Sequence, residues 1–121
     1  MPEIRQLMSL EQWRDAAQAS SSRPLLVFKH STSCPISAGA REALQHYVDD
    51  STVDANVDFA VVHVIEERPV SNAIAEDLGV QHKSPQAILV KDGRPVWHDS
   101  HWNITYDFLS DKLGQPGKPE A

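Results

Sequence analysis

Cys34 is the only thiol in the chain. It lies within His30-Ser31-Thr32-Ser33-Cys34-Pro35-Ile36-Ser37, between an apolar run and an amphipathic stretch. A thiol at a strand-to-helix junction meets helix amides and a helix dipole that favour its anion. Thiol–disulfide exchange requires that anion, because a free cysteine of pKa about 8.5 is mostly protonated near neutrality. Ser37 stands one helical turn on, where a redox Cys-x-x-Cys pair carries its second sulfur. Thiol chemistry at Cys34 must therefore finish without an internal disulfide. Thr32 and Ser37 are the candidate donors to a thiolate. Thr32 and Ser33 can equally cap the helix, and Ser37 can be an ordinary polar residue of its first turn. A small buried hydrophobe is the other reading of a lone cysteine, but this one sits among hydroxyl side chains and a proline.

The elements that must position this segment follow from patterning. Ser9-Leu10-Glu11-Gln12 reads as a capping box, and Leu10, Trp13 and Ala17 then repeat at helical spacing. Ser20 to Ser22 with Arg23-Pro24 end that helix. Leu25 to Lys29 is a short apolar run, the pattern of a strand buried on both faces. Pro35 suits a first helical turn, where its missing amide hydrogen costs nothing. Ile36, Ala40, Ala43, Leu44 and Tyr47 form the apolar stripe of this second helix, and Asp49 to Thr52 read as a loop.

Phe59 to Ile65 is the strongest strand, rich in β-branched residues. Ser71 is placed to cap a third helix bearing Ile74, Ala75 and Leu78, with Gly79 past its end. Gln86 to Val90 returns to strand, and Asp92-Gly93 turns the chain into Val96-Trp97-His98, an edge strand because of Pro95. Asn103 is expected to cap a last helix carrying Ile104, Tyr106, Phe108, Leu109 and Leu113. With a weak strand near Ile4 to Met8, the order is β, α, β, α, β, α, β, β, α. This predicts an α/β domain over residues 1–114, parallel in its first half and antiparallel in its second. Residues 115–121 read as a disordered tail.

Composition excludes several function classes. Eleven basic against seventeen acidic residues give a formal charge of -6 without a Lys/Arg cluster, so neither nucleic acid nor an anionic membrane is an expected partner. No apolar run approaches the roughly 20 residues of a membrane span. Glu3, Arg5, Glu11, Arg14 and Asp15 interrupt any signal-peptide core. One cysteine makes no disulfide within a chain, and a reducing, cytoplasmic setting is the expectation. His98 and His101 are two polar residues at a strand end with no companion cluster of ligands, so no metal site is expected.

The element order, with a cysteine opening the helix after the first long strand, resembles the thioredoxin fold. Ser84-Pro85 strengthens the likeness: it precedes the strand that opens the hairpin, where thioredoxin-like proteins place a cis-proline facing the active cysteine. The resemblance implies a mixed sheet of four to five strands with helices on both faces. Within that superfamily the chain is similar to the monothiol bacilliredoxin, or YtxJ-like, family. Lys29 to Ser37 carries that resemblance, with Arg68-Pro69-Val70-Ser71-Asn72 and His82-Lys83-Ser84-Pro85-Gln86 in the same order and spacing. Ser33 stands where thioredoxins have a tryptophan, and Phe28 stands where they bury an aspartate.

The family implies a monothiol thiol–disulfide oxidoreductase. Cys34 would take bacillithiol from an S-bacillithiolated protein, and a second low-molecular-weight thiol would resolve the mixed disulfide. Bacillithiol is then a co-substrate, no cofactor is bound, and S-thiolated proteins are the partners. Ser84 would offer its backbone to an extended partner chain, beside Pro85. His30 and His82 fall near Cys34 in such a fold and either can tune its charge, whereas Arg68 reads as a solvated charge or as a contact to an acidic thiol. Two other functions compete. A cysteine hydrolase lacks an oxyanion-forming glycine loop and an oriented Cys-His pair. A non-catalytic redox sensor or adaptor, itself S-thiolated at Cys34, needs the same accessible thiol.

Overall fold

The structure, a computed structural model, describes residues 3–50 and 57–114. The elements are β1 (Ile4–Gln6), α1 (Leu10–Ala19), β2 (Leu25–His30), α2 (Pro35–Asp50), β3 (Asp58–His63), α3 (Arg68–Leu78), β4 (Gln86–Lys91), β5 (Arg94–Ser100) and α4 (Tyr106–Leu113). A 3-10 turn, His101–Asn103, links β5 to α4. The five strands form one mixed sheet in the order β1-β3-β2-β4-β5. β1 and β2 pair parallel with β3, while β4 runs antiparallel to both β2 and β5.

Every residue of β2 is buried. Successive side chains of a strand point to opposite faces, and each face has its own core. Val27, Val62, Ile74 and Ile88 pack with Trp13 beneath α1 and α3. Leu26, Phe28, Phe59 and Leu44 pack with Leu109 beneath α2 and α4. A strand covered on both sides has no solvent face for its polar end residues. Lys29 and His30 are therefore buried, on opposite faces.

Local chemistry sets most boundaries. Ser9 Oγ accepts the Gln12 amide hydrogen at 3.1 Å, and Gln12 Oε1 accepts that of Met8 at 2.6 Å. The buried stripe of α1 is Trp13 and Ala16, while Leu10 is exposed. Gly79 ends α3 with φ 66, the left-handed conformation glycine adopts without strain. Asp92 and Gly93 both have positive φ, 54 and 70, which matches the right-handed twist of the β4–β5 hairpin. Pro95 lies on the outer strand at a register shift that opposes Val90 to Pro95 and Leu89 to Trp97.

Several boundaries differ from expectation: β3 ends at His63 and not at Ile65, and Ile104 precedes the last helix. Asp49 and Asp50 belong to α2, where Gln45 Nε2 donates to Asp49 Oδ1 at 2.8 Å and Tyr106 OH to Asp50 Oδ2 at 2.6 Å. Ser51, Thr52 and the tail from 115 lie outside the described residues. α3 begins at Arg68 with Pro69 in its first turn, so Ser71 is a buried helical residue and not a cap. The last helix is capped by Thr105, whose Oγ1 accepts from the Phe108 amide at 3.1 Å. Asn103 instead donates to Asp99 Oδ1 at 2.8 Å.

Candidate active site

The cysteine loop leaves the carboxyl end of β2 and enters α2 at Pro35. The Cys34 amide donates to Ser31 O at 3.2 Å, and Cys34 O accepts the first intrahelical bond, from Ala38 N at 2.9 Å. The amides of Ile36 and Ser37 then have no intrahelical acceptor, which leaves a positive helix end beside the thiol. Cys34 is a free cysteine, half-buried.

Ser37 is fully buried, and its hydroxyl is already engaged. Its Oγ accepts the Ser31 amide hydrogen at 3.0 Å and shares a hydrogen bond with His30 Nδ1 at 2.8 Å. Thr32 Oγ1 donates to Glu66 Oε2 at 3.2 Å, and Ser33 Oγ lies 3.3 Å from Ser31 Oγ. The cysteine loop is thus fastened to the β3–α3 turn through Thr32, and to its own start through Ser37. A second bond ties the same turn to β2, from Val64 N to His30 O at 3.0 Å.

His30 is stacked on Phe28, ring centroids 5.8 Å apart, and meets the edge of His63 at 5.7 Å. Burial holds its pKa below the usual histidine value, and His63 and then Arg41 push the same way, against Glu66. His30 is therefore neutral near pH 7, as a partner of the Ser37 hydroxyl. His63 in turn shares a hydrogen bond with Gln6 Nε2 at 3.2 Å.

On the opposite face of β2, Lys29 Nζ donates to Ser71 O at 3.1 Å and lies 3.2 Å from His82 Nδ1. Burial lowers the Lys29 pKa from 10.5 to about 8. Burial, then Lys29 and Arg68, lowers that of His82. The register sets Lys29 opposite Gln86, so Pro85 lies at the level of His30, where the cysteine loop begins. The Ser84–Pro85 bond is cis. Ser84 Oγ and Gln86 Oε1 are buried without partners.

Pro85 O accepts the His101 amide hydrogen at 3.0 Å, which holds the 3-10 turn against this end of the sheet. That turn also packs on α2. His101 has φ 57, and the next residue, Trp102, is 76% exposed. Arg68 is exposed at the start of α3, and His98 is exposed on β5. Among the described residues, no three His, Cys, Asp or Glu side chains are placed to hold a metal ion. No helix among them is long and apolar enough to cross a membrane.

Three residues of this region lie outside the sequence-derived site: Lys29, Glu66 and Trp102. Lys29 carried a signal, a lone cation inside an apolar run. Glu66 and Trp102 carried none beyond their residue types.

The architecture has solved counterparts. One is a protein provisionally described as an oxidoreductase with a thioredoxin fold, with 30% identity over 89% of this chain and 91% of that one, at a TM-score of 0.77. Malassezia sympodialis thioredoxin, at 13% identity, aligns over 98% of this chain and 94% of its own with a TM-score of 0.73. Fasciola hepatica thioredoxin, at 16%, aligns over 93% and 99% with a TM-score of 0.72. The two thioredoxins establish the fold. A family model described as monothiol bacilliredoxin BrxC matches residues 5–109, nearly the whole described chain, including the cysteine loop, Lys29, Ser84 and Pro85. The chain belongs to the monothiol bacilliredoxin BrxC family of thioredoxin-fold oxidoreductases.

Proposed function

We propose that the protein removes bacillithiol from S-bacillithiolated proteins by exchange at Cys34. The observation that carries this reading is the half-buried lone thiol before α2, with Ser37 buried and bonded where a second sulfur would stand. The Cys34 thiolate attacks the bacillithiol sulfur of the mixed disulfide. The protein–bacillithiol S–S bond breaks, the Cys34–bacillithiol bond forms, and the released protein thiolate takes a proton from water. A second bacillithiol thiolate then attacks the bacillithiol sulfur on Cys34. This frees the Cys34 thiolate and leaves bacillithiol disulfide. Each step exchanges one disulfide for another without net oxidation.

The helix end beside Cys34 favours the anion, while excessive stabilisation would blunt its nucleophilicity. Thr32 and Ser37 are bound to Glu66 and His30, so their service to the thiolate runs through those partners. Ser37 has one hydroxyl hydrogen, which is free for sulfur only when His30 carries its own hydrogen on Nδ1. Ser84 and Pro85 receive the partner chain at the edge of the site. In this reading the partners are S-thiolated proteins and a small thiol in a reducing cytoplasm, with no bound cofactor.

The test is turnover followed by intact mass, with Cys34→Ala as control. Transfer of bacillithiol to Cys34 and its release by added bacillithiol are expected. Capture without release favours a redox sensor, and absence of transfer defeats the exchange.

A further inference from the structure

Lys29 is fully buried at the end of a strand that is otherwise apolar up to it. A buried ammonium is costly unless it is paired, and an apolar side chain of similar size commonly serves stability at least as well. Among the described residues no carboxylate forms an ion pair with it. Its partners are two acceptors from different segments: the Ser71 carbonyl of α3 at 3.1 Å and His82 Nδ1 at 3.2 Å. Ser71 Oγ lies 3.4 Å from the same His82 nitrogen. His82 belongs to the short loop that runs from Gly79 to Ser84 and Pro85. Folding alone gives no reason to keep a cation here, but its location does: Lys29 stands opposite Gln86, one step from Pro85.

We propose that Lys29 is a positioning residue for exchange at Cys34, tying the 79–85 loop to α3 and so fixing the Ser84–Pro85 edge that receives the partner chain. This role rests on the exchange reading above. Lys29 has only hydrogens to give, so His82 Nδ1 must be the acceptor. A protonated His82 cannot accept, and it sets a second positive charge beside Lys29. Arg68 on α3 is the other cation that acts on His82, and Lys83 follows His82 in the loop. Glu66 and Glu67 lie in the preceding turn, with Glu66 already held by Thr32. β4 contributes the neutral Gln86. Because His82 titrates below the ordinary histidine range, the tie holds at neutral pH and opens as the pH falls through the His82 value.

The test uses the full chain and an S-bacillithiolated protein as substrate. Lys29→Met is expected to fold with at least the wild-type unfolding midpoint. It should react with iodoacetamide at Cys34 at the wild-type rate, yet exchange with the protein disulfide roughly tenfold more slowly. His82→Gln keeps an acceptor that does not titrate, so it should retain neutral exchange and flatten the acid limb of the pH profile. His82→Ala, which removes the acceptor and leaves Lys29 in place, is the second route should Lys29→Met fail to fold, and it too should slow exchange. Wild-type rates and a wild-type profile in Lys29→Met and His82→Ala would overturn the role. So would a parallel loss of iodoacetamide reactivity. No exchange by the wild-type protein would instead sink the underlying reading.

Discussion

Ser37 Oγ lies 2.8 Å from His30 Nδ1 and accepts the Ser31 amide hydrogen at 3.0 Å. The residue that replaces a second sulfur is thus a structural knot between the start of the cysteine loop, the end of β2 and the first turn of α2. A thioredoxin-type buried aspartate has no counterpart at Phe28, and the imidazole of His30 stacks on that ring.

Ser37→Ala removes one hydrogen-bond partner from a part-buried amide and one from a buried imidazole. Leaving such groups unsatisfied costs about 1–3 kcal/mol. Denaturant unfolding should show a lower midpoint with an unchanged slope. A midpoint equal to wild type would mean the knot contributes nothing.

Acid should destabilise the fold through His30. Its folded pKa lies below the unfolded value, so the unfolded chain binds the proton first. Stability is complete above the ordinary histidine pKa and falls as pH drops below about 6.5. His82 acts in the same direction. Unfolding midpoints between about pH 7.5 and 5 should decline in the wild type and less steeply in His30→Gln. Parallel slopes in the two proteins would remove His30 from the account.

Alkali should act in the opposite sense on Lys29. Its folded pKa is about 8 against 10.5, so stability rises with pH between those values as the buried charge is lost. The advantage of Lys29→Met over wild type should therefore shrink from about pH 8 to 10. A constant difference in unfolding free energy would show that Lys29 does not titrate there.

Trp102, on the 3-10 turn, is the most exposed large apolar side chain among the described residues. At 76% exposure it contributes little to the core, so Trp102→Ala should change stability by no more than about 0.5 kcal/mol. Because that turn is bonded to Pro85, the same variant should exchange more slowly with protein mixed disulfides. Exchange with a small disulfide should be unaffected. Equal rates on the protein substrate would make this tryptophan an ordinary surface residue.

Much of the fold was legible because its signals are local. Ser9, Gly79 and the Asp92-Gly93 pair each act within a few residues, and the apolar run at Leu25 reports burial directly. Where two local signals compete, sequence alone misassigns. Ser71 has the chemistry of a cap, but Pro69 starts the helix earlier and leaves Ser71 inside. Asn103 yields to Thr105 because the 3-10 turn intervenes. Within the candidate site, Cys34 declares itself through its junction. Lys29 shows only that it is buried: its acceptors lie 42 and 53 positions away, a relation that exists only after the sheet has formed.

Lys29 and His30 are neighbours in the chain yet serve opposite sides of the sheet, one the loop before Pro85 and the other the helix that follows Cys34. Exchanging the two letters would preserve composition, charge and the buried character of the strand. It would also deliver an imidazole to α3 and an ammonium to Ser37, so that each half of the site received the other's fitting. At this point in the molecule, order within a dipeptide carries as much information as the identity of the residues themselves.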